Sequence, residues 1–152
     1  MAAFGLNRFF SNLKALMATT GNKKLFTRDY EIHASIKMLY PYIHTPSGLA
    51  EWFADDVTVD NLDKTFIFHW DNETHKARLA AHRTNHFARF EFLPEKEDDI
   101  NDPSYFELRL EFNEFTQAVY LRVSDYSDFD DLEELGDLWD GLVENLKKTV
   151  GG

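Results

Sequence analysis

The sequence predicts an α+β domain: a curved antiparallel sheet of about six to seven strands around one long C-terminal helix, with two short helices after the first strand. Three observations carry this. Successive segments between residues 63 and 126 alternate apolar and polar residues, the pattern of strands with one buried and one wet face. The period then becomes helical, with Leu132, Leu135, Trp139, Leu142 and Leu146 in one apolar stripe. Ahead of the strand run, "SIKMLYPYIHTPSGLAEWF" (35–53) contains two helix starts in succession.

The opening segment places Leu6, Phe9, Phe10, Leu13, Leu16 and Met17 at helical spacing, with Arg8, Asn12 and Lys14 between them. Three readings stand: an extra helix docked on the domain, a basic amphipathic helix for a membrane surface or partner, or upstream sequence with Met17 as the true start. Arg8 and Lys14 interrupt any signal-peptide core. "TTGN" (19–22) is a linker, dividing the chain into an extension, 1–22, and a domain, 23–152.

In "KKLFTRDYEIHA" Phe26, Arg28, Tyr30 and Ile32 alternate with Leu25, Thr27, Asp29 and Glu31, a strand. Ser35 is an N-cap candidate for a helix shortened or kinked by Pro41. Thr45 followed by Pro46 starts the second helix. "DKTFIFHW", the turn at 71–74, "HKARLAAHRT", "HFARFEFL", "SYFELRLEFN" and "EFTQAVYLRVSDY" continue the sheet, with Phe106, Leu108, Leu110, Val119, Leu121 and Val123 facing inward. "PEKEDDINDP" (94–103) is a solvated loop. Ser127 or Asp128 is the expected cap of the final helix, whose acidic start and Lys147 and Lys148 suit the helix dipole. Gly136 and Gly141 each weaken it by about 1 kcal/mol relative to Ala, a sign of close contact or of slack.

With 152 residues, 43% of them hydrophobic and 14 of them Phe, the chain can fill a core. Without cysteine there is no disulfide framework and no thiol catalysis. A net charge of −11 argues against general nucleic-acid binding, and no segment approaches the apolar length of a membrane span. The acid beyond Pro94 suits solubility or a basic partner. A cytoplasmic setting is the simplest expectation.

"YEIHASIKMLYPYI" (30–43), "TPSGLAEWFADDV" (45–57), "FIFHW" (66–70) and "LWDGLVENLKKTV" (138–150), in that order, resemble the START-like (SRPBCC) superfamily, whose fold is the helix-grip. The resemblance spans roughly residues 24–150. Within it, Leu49, Trp52 and Phe53 are similar to a Leu-x-x-Trp-Phe pattern in activators of the ninety-kilodalton heat-shock chaperone ATPase. The resemblance implies a cavity between sheet and terminal helix that holds lipids, sterols, polyketides or hormones. Some members are cyclases or dehydratases. The chaperone activators carry a further N-terminal domain, for which the 22 residues ahead of the first strand leave no room, so chaperone activation is not carried over directly.

Catalytic motifs are absent: there is no G-x-S-x-G, P-loop or G-x-G-x-x-G. His69, His75, His82 and His86 are expected to be scattered surface or edge residues, so no metal or cofactor is expected. Arg78 and His82 share strand parity, as do Arg89 and Glu91, and which parity faces inward is open. An inward Arg89 would need a carboxylate or an acidic ligand. The candidate pocket residues are Trp52, Phe53, Phe66, Phe68, Trp70, Phe90, Phe92, Phe106, Leu108, Leu135, Trp139 and Leu142. They fit either a filled core or an apolar pocket for a hydrophobic small molecule. Trp52 and Phe53 point about 100° apart on a helix, so one is expected to face the cavity and the other to anchor the helix. The expectation is thus a non-enzymatic binder, monomeric or homodimeric, with Phe87, Tyr105 or Tyr120 as an outer patch and the acidic C-terminal region as a possible protein-binding face.

Overall fold

The computed structural model describes residues 23–70 and 72–152. The expected N-terminal helix and its competing readings lie outside them, as does Asp71 of the turn at 71–74. The chain runs β1 (Lys24–Ile32), α1 (Ile36–His44), α2 (Pro46–Leu49), β2 (Asp56–Asp60), β3 (Thr65–Trp70), β4 (Glu73–Arg83), β5 (Phe87–Phe92), β6 (Tyr105–Asn113), β7 (Ala118–Ser127) and α3 (Leu132–Val150), with a 3-10 turn at Glu97–Asp99. The seven strands form one antiparallel sheet in the order β1-β7-β6-β5-β4-β3-β2. The short edge strand β2 is one that the sequence patterns did not single out. The β2–β3, β4–β5 and β6–β7 hairpins each place one residue in the left-handed region: Lys64, Asn85 and Gln117.

Local chemistry sets the helix ends. Ser35 Oγ accepts from the Met38 N–H at 3.1 Å, and Thr45 Oγ1 from the Gly48 N–H at 2.9 Å, as the sequence predicts. Pro41 sits inside α1, and the Thr45 N–H still reaches its carbonyl at 3.2 Å. The cap of α3 differs from expectation: Asp131, not Ser127 or Asp128, accepts from the Glu133 and Glu134 N–H groups, both at 3.1 Å. Ser127 is still in β7, paired with Lys24, so the helix cannot begin there. Gly151, at φ 78°, closes α3. Leu135, Gly136, Trp139, Leu142, Val143, Leu146 and Val150 are its buried stripe, while Leu132 stays exposed at the first turn.

Helix α3 lies along β1. Arg28 holds Asp140 with Nη1 at 3.0 Å, the Tyr30 hydroxyl donates to the same carboxylate at 2.6 Å, and Lys24 pairs with Asp130 at 3.0 Å. This clamp explains one helix glycine: a Cβ at Gly136 would stand 2.8 Å from the Arg28 guanidinium. Gly141 has nothing within 4 Å of such a Cβ.

Candidate functional site

Register places Phe66, Phe68 and Trp70 of β3, Ala77 of β4, Phe90 of β5, Phe106 and Leu108 of β6, and Val123 and Asp125 of β7 on the face turned toward the helices. Their burial agrees. Phe53, just after α2, closes the layer. Its ring centroid lies 4.6 Å from Phe106, 5.2 Å from Phe68 and 5.7 Å from both Trp70 and Trp139. The Trp70 indole N–H donates to the Phe53 carbonyl at 3.1 Å, fixing that backbone. Trp52 points elsewhere: its indole N–H donates to the Tyr42 carbonyl at 2.9 Å and ties the connection to α1. The adjacent pair therefore divides, one ring packed against sheet and helix and the other tied to α1.

The sequence-predicted pocket residues all lie in or against the core, Trp52 on the α1 side. Trp52, Phe53, Phe66, Phe68, Trp70, Phe90, Phe106, Leu108, Leu135, Trp139 and Leu142 are buried, and Phe92 is half-buried. The wall is less uniform than the sequence implies. Inward Leu79 and Val59 are only half-buried, packed against the edge of the core.

Sequence reasoning missed a carboxyl here. Asp125 faces inward, is fully buried, and accepts the Trp139 indole N–H at 2.8 Å. Burial pushes its carboxyl up to about 6, against the pull of Trp139 and, more weakly, Ser127. The signal was available, since Asp125 continues the parity of Leu121 and Val123. Beyond it lies a polar end. Asp128, with no side-chain exposure, meets Lys96 at 3.1 Å, and Lys23 meets Asp99 at 2.9 Å in a buried pair.

The structure also settles the parity questions. A register shift between Leu79 and Ala81 turns the end of β4 over, so Arg78 faces outward to Glu91 at 3.0 Å while His82 comes within 3.5 Å of the Tyr40 hydroxyl on α1. Their expected shared parity is lost in the bulge. Arg89 faces outward: it bonds Glu107 at 3.3 Å and covers the Tyr105 ring at 4.2 Å. Arg109 covers Phe87 in the same way at 4.4 Å. Of the expected outer aromatic patch, Phe87 and Tyr105 are therefore capped by guanidinium groups. His75 departs from the expected surface histidines: it is buried against Trp70, 3.5 Å from Glu73 and 3.6 Å from Glu95. Among the described residues no group of three or more His, Asp or Glu could hold a metal ion, and no helix is long and apolar enough to cross a membrane.

Residues 20–152 match the family described as START-like superfamily domain. The chain belongs to the START-like superfamily. No curated protein matches it in sequence. Its similarity to solved structures is one of fold. An Aha1 dimer from Colwellia psychrerythraea superposes with a TM-score of 0.67 at 16% identity, over 84% of this chain and 96% of that one. DynU16, a protein of the dynemicin biosynthetic locus, gives 0.62 at 14% identity, over 82% of this chain and 46% of that one. The major latex-like protein 151 of Panax ginseng gives 0.62 at 9%, over 84% and 97%. This START-like domain thus shares its architecture with neighbours of varied function.

Proposed function

We propose that this START-like domain is a non-catalytic, cytoplasmic binder of a hydrophobic small molecule, lipid-like or aromatic, held between the inner sheet face and α3. One observation carries the reading: the aromatic wall runs without interruption from the sheet through Phe53 to Trp139. Phe53 sits on a connection rather than on the sheet or α3. Movement of that connection opens a space bounded by Phe68, Trp70, Phe106 and Trp139, and half-buried Leu79 and Val59 supply an apolar approach. Asp125 is engaged by Trp139 and deeply buried, which favours a positioning role over acid–base chemistry on a bound molecule.

Native mass spectrometry of gently purified full-length protein tests this. The expected result is a co-purifying mass, released by organic extraction, or saturable binding of an added apolar fluorophore that Phe53→Trp weakens. Absence of both an adduct and saturable binding overturns the reading.

A second reading, a homodimeric or co-chaperone-like interaction module, is favoured by fully exposed Phe115 and half-exposed Phe112 at the β6–β7 hairpin. The Aha1 neighbour, solved as a dimer, fits it. Sedimentation velocity showing only monomer, together with an unchanged heat-shock chaperone ATPase rate, removes it.

A further inference from the structure

We infer that the polar end of the inner face, at Ser104, Ser127 and Asp128, is a subsite for one end of the bound molecule and takes a hydroxyl or an amine rather than a carboxylate. This rests on the ligand-binding reading above. The pair Tyr105–Tyr126 sets Ser104 opposite Ser127 one step further along β6 and β7, on the side of Phe106 and Asp125. The ladder continues there, since the Phe92 N–H donates to the Ser104 carbonyl at 2.9 Å. Ser104 Oγ, Ser127 Oγ and Asp128 Oδ1 are all buried; Ser127 stands beside the Asp125 carboxyl, while Ser104 Oγ and Asp128 Oδ1 make no hydrogen bond among the described residues. Folded proteins satisfy the great majority of buried polar atoms, so buried acceptors left open at the end of the inner sheet face call for a further donor.

The neighbours define that partner. Asp128 Oδ1 only accepts when ionised, and its Oδ2 already holds Lys96. Lys23 is committed to Asp99 and to the Asp102 carbonyl. A carboxylate arriving here would therefore meet Asp125 and Asp128 with both nearby ammonium groups engaged. A hydroxyl or ammonium group instead donates to Asp128 and exchanges hydrogen bonds with the two serines. The next row of the sheet, Phe90 and Phe106, offers aromatic surface to the apolar body.

The test compares naphthalene, 2-naphthol and 2-naphthoate by isothermal titration with the full chain at neutral pH. Naphthol is expected to bind about tenfold more tightly than naphthalene, and naphthoate most weakly. The double variant Ser104→Ala/Ser127→Ala should erase the naphthol advantage while leaving naphthalene within about twofold. Equal binding of naphthol and naphthalene, or preference for naphthoate, overturns the subsite and leaves the carrier reading standing. No binding by any of the three overturns both. Should the double variant misfold, amide NMR of the unaltered protein decides: naphthol but not naphthalene should shift Ser104, Ser127 and Asp128, and unmoved amides refute the subsite.

Discussion

The two faces of the central strands carry aromatic rings in different company. On the inner face, Phe90 and Phe106 lie 5.1 Å apart, and each also meets Phe68. On the outer face of the same strands, Tyr105 and Phe87 lie under Arg89 and Arg109, and Glu107 bridges the two guanidiniums at 3.3 and 3.4 Å. Ring meets ring inside, whereas ring meets cation outside. An aromatic count alone would assign both faces to recognition. Only the inner one presents rings to a second layer, while the outer one covers its rings with charged groups that face water.

Breaking the inner layer should have the largest effect. Phe53→Ala removes contacts to five aromatic neighbours and should cost about 3–5 kcal/mol in urea unfolding. The buried carboxyl comes next. Its folded value of about 6 exceeds the ordinary 3.8, so the native state holds the extra proton and stability falls as pH rises between those values. The loss is on the order of 3 kcal/mol at 1.36 kcal/mol per unit. Asp125→Asn should flatten this fall, as read by melting temperature from pH 4 to 7. On the helix back, Gly141→Ala should stabilise by about 0.5–1 kcal/mol, because the added methyl meets open space. Gly136→Ala should gain less, since its methyl displaces Arg28. The outer ladder should respond least. Glu107→Gln should change stability by under about 1 kcal/mol, and added salt should shrink the difference. An outer-face loss equal to that of Phe53→Ala would erase the distinction between the faces.

Most of the architecture was legible because each strand and helix repeats its period over several turns or pleats. What escaped was short or local. β2, "DVTVD", gives only two apolar positions, between acidic ends. The β4 bulge inverts parity with no glycine to announce it, so Arg78 and His82 read as partners and are not. The cap of α3 was hidden among consecutive acids, where any of several could serve and only the end of β7 pairing selects Asp131. Asp125 was masked by the same acidic run, although strand parity pointed it inward. The aromatic members of the candidate pocket were legible as a buried set. The buried polar groups at its end, Ser104, Ser127 and Asp128, were not, because single polar residues at strand ends carry no period of their own.

The pairing of β1 has a kinetic consequence. Lys24 pairs with Ser127 and Ile32 with Val119, and Arg28 then reaches Asp140, 112 residues away in sequence. β1 must therefore wait for β7 and α3, about a hundred residues further along the chain, before it finds its neighbours, while the β4–β5 and β6–β7 hairpins close over short loops. Completion of the sheet is a late, long-range event, and substitutions in β1 should speed unfolding far more than they slow folding.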